Sequence, residues 1–259
     1  MDIKKNNINE LYIQYKKKRN EGYIKRFKID KEDLLPDYNK KIAIIVPYRD
    51  NTKQDRKTQL KKFIIHMNDI LNGKNWKLYV IEQTDDGRKF NRGALLNIGM
   101  EIALKDKCEI LVTHDVDLLP QKDLILYYFL YSRFHPVHIG HVWQDKYKYW
   151  EFIGGILLMS DFIAKKVNGY PNNFWGWGGE DDALYNRIMT YNLQIYEPLN
   201  GTVEELKHVN TSEIKEFVND KKKENILKDI LYWKQNGLNS IKYNLIKKKD
   251  DIYTVQIIK

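Results

Sequence analysis

Ile42-Ala43-Ile44-Ile45-Val46, running straight into Pro47-Tyr48-Arg49, decides how the chain folds. The run is apolar throughout and mostly β-branched, without the alternation of a half-exposed strand. It predicts a strand buried on both faces, as in parallel sheets. Downstream, Thr52 can cap a helix whose apolar positions are Leu60, Phe63, Ile64, Met67, Ile70 and Leu71, stopped at Gly73. Trp76 to Glu82 predicts a second strand, Asn91 a cap for a helix through Leu95, Ile98 and Ile102, and Glu109 to Thr113 a third strand. Strand and helix in alternation imply right-handed crossovers and an α/β fold, an open, mostly parallel sheet flanked by helices. Such sheets bind ligands beyond the carboxyl ends of their strands. Pro47-Tyr48-Arg49, Phe90-Asn91-Arg92 and Asp115-Val116-Asp117 all fall there.

Upstream, Ile8, Leu11, Tyr12 and Tyr15 fall at helical spacing, and Asp30 to Asn39, with Pro36, reads as a linker. Residues 1–40 are therefore expected to form a basic helical extension and 41–259 the main domain. Pro136 to Trp143 and Glu151 to Ser160 read as strands, the second interrupted by Gly154-Gly155. Ser160 can cap a short helix ending near Gly169. Leu193 to Glu197 predicts another strand, 212–235 a lysine-rich helix, and Ser240 to Ile246 with Ile252 to Ile258 a closing hairpin.

The 259 residues are 42% hydrophobic and 31% charged, the composition of a globular protein. The net charge of +9 is concentrated in residues 1–28, so a general nucleic-acid surface is disfavoured. No apolar run of about 18 residues is present to span a membrane, and residues 1–30 lack the apolar core of a signal peptide. With Cys108 as the single cysteine, the expectation is a cytoplasmic or otherwise soluble protein in a reducing compartment.

The most chemically loaded stretch is Phe174-Trp175-Gly176-Trp177-Gly178-Gly179-Glu180-Asp181-Asp182. Its acids would open a helix, where the dipole favours negative charge. The dipole accounts for one or two acids, but not for the two indoles and three glycines ahead of them. Flat indoles beside carboxylates suit a sugar, whose CH face stacks and whose hydroxyls donate. Asp115-x-Asp117 after a buried strand suits Mg or Mn carrying a diphosphate. Neither GxxxxGK nor GxGxxG occurs, so phosphate must be held by metal and by arginines such as Arg49 and Arg92. His208, in a polar loop, offers an imidazole.

Phe90-Asn91-Arg92 with Leu95-Leu96-Asn97-Ile98-Gly99 resembles the FNR-x-x-LLN-x-G block of the beta-1,4-galactosyltransferases. His114 to Pro120 and Phe174 to Asp182 resemble their metal and acceptor motifs. Phe152 to Leu158 and Gly237 to Tyr243 look most like the branch that galactosylates xylosylated protein. The resemblance spans about 41–259. It implies a GT-A nucleotide-sugar-binding fold, a UDP-sugar donor, Mn (with Mg as an alternative) and inverting transfer to a glycan or glycoside acceptor.

By position, it implies that Pro47, Arg49, Phe90, Arg92, Asp115, Val116, Gly155 and Trp177 bind the nucleotide sugar. Trp177, Gly178, Glu180 and Asp182 would bind acceptor, with Asp181 as the base. Asp117 and His208 would ligate metal. The family's third ligand is a Met three residues before this histidine or a His two residues after it; here Glu205 and Asn210 stand there, both offering oxygen. Asn51 stands where part of the family has a second phosphate-binding Arg, and Phe152 replaces a Tyr that helps select the donor. The family normally sits behind a membrane anchor, which this sequence does not show. The rivals are a two-acid glycosidase, which has no use for Asp115-x-Asp117, and a sugar-binding protein on the same fold that has lost catalysis.

Overall fold

The computed structural model describes residues 8–20, 26–51, 53–146, 149, 151–207, 209 and 213–258; Thr52, His208 and Asn210 lie outside them. Helix α1 (Ile8–Asn20) and strand β1 (Arg26–Ile29) precede the alternating series β2 (Ile42–Tyr48), α2 (Arg56–Ile70), β3 (Trp76–Gln83), α3 (Arg92–Lys105) and β4 (Ile110–His114). Then come β5 (Leu118–Pro120), β6 (Val137–His138), β7 (Ile156–Ser160), α4 (Asp161–Lys166) and α5 (Glu180–Thr190). The remaining elements are β8 (Ile195–Pro198), β9 (Val203–Glu205), α6 (Lys222–Tyr232), β10 (Tyr243–Lys249) and β11 (Ile252–Ile257).

Among the described residues, nine strands form one sheet in the order β1-β8-β6-β7-β4-β2-β3-β11-β10, and β5 pairs with β9 in a small second sheet. Strand β2 is parallel to both β3 and β4, whereas β7 is antiparallel to β4 and β6. Every residue of β2 is buried. Ala43 and Ile45 face a core with Leu95 and Ile98 of α3, and Ile42, Ile44 and Val46 face a second core with Phe63 and Met67 of α2. Each such Ile contributes roughly 1.5–3 kcal/mol relative to exposure. Asn91 caps α3 by accepting from the Ala94 amide at 3.0 Å, and Ser160 caps α4 by accepting from Ile163 at 3.3 Å.

Several elements depart from the sequence reading. Helix α2 begins at Arg56 rather than near Thr52, after Asp55 in a left-handed conformation (φ 49°). Within 136–143 only Val137–His138 is strand; Ile139–Lys146 coils into 3-10 turns. The 151–160 strand starts at Ile156, because Gly155 takes φ 79° and breaks it. The helix read over 212–235 is confined to α6, because the segment before it gives its backbone to Trp177: Trp177 N–H donates to Phe217 O at 2.6 Å, and Asn219 N–H to Trp177 O at 3.0 Å. Strand β1 lies beside the stretch read as a linker and pairs in parallel with β8 at the sheet edge.

One buried ion pair locks α5 to α6. Arg187 Nε and Nη2 donate to the two Asp229 carboxylate oxygens at 3.0 and 2.6 Å, and Nη1 reaches the Asn168 and Gly169 carbonyls. Both side chains are 1% exposed. Arg187→Met is expected to cost about 3–5 kcal/mol, since it strands a buried carboxylate. Adding Asp229→Leu should recover much of that loss in urea unfolding. A single variant as stable as the wild type would count against this.

Candidate active site

A cavity of about 260 Å³ opens beyond the carboxyl ends of β2 and β4. Its wall includes Pro47, Arg49, Phe90, Arg92, Asp115, Val116, Asp117 and Gly155, and on the far side Trp177, Gly178, Glu180, Asp181 and Asp182. All the described residues among the expected site positions therefore meet in one place. The expected metal positions His208 and Asn210 lie outside the described residues. Arg56, Trp143, Tyr149 and Lys222 also line the cavity and escaped the sequence reading. No local motif marks them, since each arrives from an element that tertiary packing folds over the opening.

Arg92 sits at the first position of α3 and organises the acids. Its Nε and Nη2 donate to Asp115 Oδ1 at 3.0 and 2.8 Å, and its Nη1 donates to Asp181 Oδ1 at 3.0 Å. Glu180 Oε1 is 3.6 Å from the same Nη1. Burial alone would lower the Arg92 pKa, but Asp115, Asp181 and Glu180 together raise it well above the usual range. The acids open α5 after Gly176, Gly178 and Gly179, whose φ of 93°, 105° and 101° only glycine adopts at low cost. Gly154 lets the opposite loop close in: a Cβ there would lie 2.6 Å from Asp181 Oδ2. The Asp115 amide donates to Gly155 O at 2.9 Å, tying that loop to the end of β4.

The three acids differ. Asp181 is held by Arg92, and Asp182 faces Lys222 Nζ at 3.1 Å. Glu180 is buried, and its Oε2 has no hydrogen-bond partner, leaving an acceptor for a bound hydroxyl. Burial, and then the neighbouring Asp181, push the Glu180 pKa from 4.5 up to about 7. The folded protein thus keeps a proton that the unfolded chain releases. The stability this contributes is full below pH 4.5 and lost as pH rises through about 7. At ~1.4 kcal/mol per pKa unit the loss is roughly 3 kcal/mol. Glu180→Gln should flatten this slope in urea titrations of chelator-treated protein between those pH values; an unchanged slope would refute the assignment.

Trp177 is 38% exposed, so an indole face is open to a ligand. Arg49 donates from Nη1 to Arg88 O at 2.8 Å and lies over the Phe90 ring at 5.7 Å. Asp117 Oδ2 accepts from Arg56 Nη1 at 2.6 Å, so a cation already sits on this carboxylate. Leu206 N–H donates to Asp117 O at 2.7 Å, and β5 pairs with β9, which brings Glu205 into the cavity wall. Gln54 Nε2 donates to Val209 O at 2.9 Å, holding the strand-to-loop segment beside Asp117. Carboxylates from two elements, with the chain on both sides of position 208 anchored next to them, form an oxygen-rich set that fits a divalent ion. Among the described residues, His138, His141 and Glu197 also lie close enough to hold an ion, but outside the cavity wall and with Arg26 already on Glu197.

Known proteins match on both sequence and structure. The family described as "N-terminal region of glycosyl transferase group 7" matches residues 18–129, and "N-terminal domain of galactosyltransferase" matches 135–212. Beta-1,4-galactosyltransferase 7 of Drosophila melanogaster is 39% identical over 65% of this chain and 52% of its own length. Beta-1,4-galactosyltransferase 4 of Homo sapiens is 32% identical over 80% of this chain and 59% of its own. The chain thus spans about half the length of the curated relatives it matches. The crystal structure of the catalytic domain of Drosophila beta-1,4-galactosyltransferase 7 with xylobiose superposes with a TM-score of 0.61 at 31% identity, covering 84% of this chain and 92% of that one. A mutant of the same enzyme, solved with manganese, UDP-Gal and xylobiose, also gives 0.61 at 30% identity, with the same coverage of 84% and 92%. The mixed, mostly parallel sheet flanked by helices is accordingly a GT-A fold. The chain belongs to the beta-1,4-galactosyltransferase family.

Proposed function

We propose that the protein is an inverting glycosyltransferase that moves galactose from UDP-galactose to a hydroxyl of a glycan or glycoside, with xylosides the favoured acceptor class. The observation that carries this reading is the meeting of Asp181, Asp117, Arg92 and Trp177 in one cavity at the strand ends. Family membership supports it, as does the relative solved with UDP-Gal and xylobiose. Residues 41–259 form the catalytic domain in this reading, and within the extension 1–40 strand β1 joins its sheet at the edge.

Asp181 accepts the proton of the acceptor hydroxyl as that oxygen attacks the anomeric carbon. Glu180 and Asp182 hold neighbouring hydroxyls, while Trp177 and Gly178 form the surface on which the sugar lies. Pro47, Arg49, Phe90, Arg92, Asp115, Val116 and Gly155 surround the nucleotide sugar. Asp117, His208 and Asn210, with Glu205 as the alternative to Asn210, hold a divalent ion, Mn in the first instance. The chemistry supplied by that ion is neutralisation of the leaving diphosphate. Arg92 keeps Asp181 oriented through the 3.0 Å contact. The single thiol, Cys108, is buried beside the Tyr79 hydroxyl at 3.3 Å and suits a reducing compartment.

The test is turnover of a panel of UDP-sugars with Mn against xylosides and glucosides. Galactosyl transfer to a xyloside is the expected result. Binding of UDP-galactose without transfer to any acceptor would instead favour a sugar-binding protein on the same fold.

A further inference from the structure

Asp117 faces a cation that belongs to the chain itself. Arg56 Nη1 lies 2.6 Å from Asp117 Oδ2 and also donates to Gln59 Oε1 at 2.8 Å. Both members of the pair are largely buried, at 15% and 11% side-chain exposure, and both line the cavity. Arg56 is the first residue of α2, so its guanidinium reaches Asp117 from the start of that helix. Asn51, which also lines the cavity, is engaged locally: its amide donates to Gln54 Oε1 at 3.0 Å and its oxygen accepts from the Gln54 amide at 3.0 Å. Arg56 therefore adds a positive charge to the cavity wall beyond those of Arg49 and Arg92, and Asn51 adds none.

A guanidinium and a divalent ion on one carboxylate repel strongly a few ångströms apart in a partly buried site, so the existing ion pair opposes metal binding at Asp117. A freed arginine fork matches phosphate oxygens in pairs. We propose that Arg56 is a tethered counter-ion of Asp117 which a divalent metal displaces, and that the displaced guanidinium then binds the donor diphosphate. The inference rests on the reading of Asp117 as a metal ligand. It makes metal alone a weak ligand, since binding must break an existing ion pair. It makes metal and nucleotide strongly cooperative, since the diphosphate gives Arg56 a new partner. Exchange of one arginine between two anionic partners is the bistable element that such coupling requires.

The test is calorimetric titration of chelator-stripped protein with Mn alone, with UDP alone, and with UDP in saturating Mn. Wild type should bind Mn about tenfold more tightly once UDP is present. Arg56→Gln should bind Mn alone about tenfold more tightly than wild type, bind UDP in Mn about tenfold more weakly, and lose most of the cooperativity. Arg56→Lys, which keeps the charge and the helix start, should retain the wild-type Mn affinity but bind UDP less well than wild type. Asp117→Ala is titrated in parallel. If Arg56→Gln binds Mn no better than wild type while Asp117→Ala loses it, the counter-ion role is overturned and the metal site stands. If Asp117→Ala binds Mn normally, the metal reading fails and this inference with it. Unchanged UDP affinity in both Arg56 variants would overturn the diphosphate role.

Discussion

Asp181→Asn is expected to lower kcat by about 10²-fold or more, the size of a lost general base, while leaving UDP-sugar affinity nearly intact. The substitution keeps the side chain's size and its place at the opening of α5, but an amide cannot take the acceptor proton. Geometry favours Asp181 over its neighbours. Consecutive helical residues point about 100° apart, so only one of three acids can face the reacting oxygen. Asp182 is turned to Lys222, and Glu180 is buried with an unpaired oxygen, which suits binding a sugar hydroxyl. Asp181 packs against Gly154, so its position is fixed from both sides of the cavity. Single-turnover rates with UDP-galactose and a xyloside would measure the effect. If Asp181→Asn keeps a near-normal kcat while Glu180→Gln is dead, the base is Glu180.

The second large effect is expected at Asp117. Asp117→Ala should reduce turnover at least about 10³-fold, because the leaving diphosphate loses several kcal/mol of charge neutralisation. UDP affinity should fall as well, which separates this variant from Asp181→Asn. Chelation should reproduce the loss in wild type, and full activity in a chelator would refute the assignment. Since Glu205 or Asn210 offers oxygen to the ion, Mg should restore part of the activity that Mn supports. A strict Mn requirement would remove that refinement.

How much of this was legible in the sequence depended on how local the cause was. Strands β2 and β4 are apolar runs and β3 has the apolar centre Leu78 to Ile81, long enough to announce themselves, and Asn91 and Ser160 cap through their own side chains. Strand β1 carries no such signature: Arg-Phe-Lys-Ile becomes a strand because Ile195–Pro198 offers it a parallel edge. Likewise Val137–His138 stops short because Gly140 must pass close to the Gly154 carbonyl, where a Cβ would be only 2.8 Å away. The described residues expected at the site lie in motifs with compact spacing, which is why the sequence points to positions that line one cavity. Arg56 and Lys222 lie in ordinary basic helical sequence, and only the fold brings them to the opening.

Strand β1 also has a bearing on how the molecule is made. Arg26 pairs with Glu197, 171 residues further along, and its Nη2 donates to Phe152 O at 3.0 Å in the loop that carries Gly154 and Gly155. Synthesised N-terminus first at about 5–20 residues per second, β1 waits roughly ten to thirty seconds for its partner strand to emerge. The β2 to β4 core has all its strands in hand long before that, so a growing chain can hold a folded centre with its first strand unpaired. Pairing over so long a separation is slow in itself. The loop opposite Asp181 is therefore clamped only after residues 195–198 have emerged, when the strands of the β2 to β4 core are already in hand.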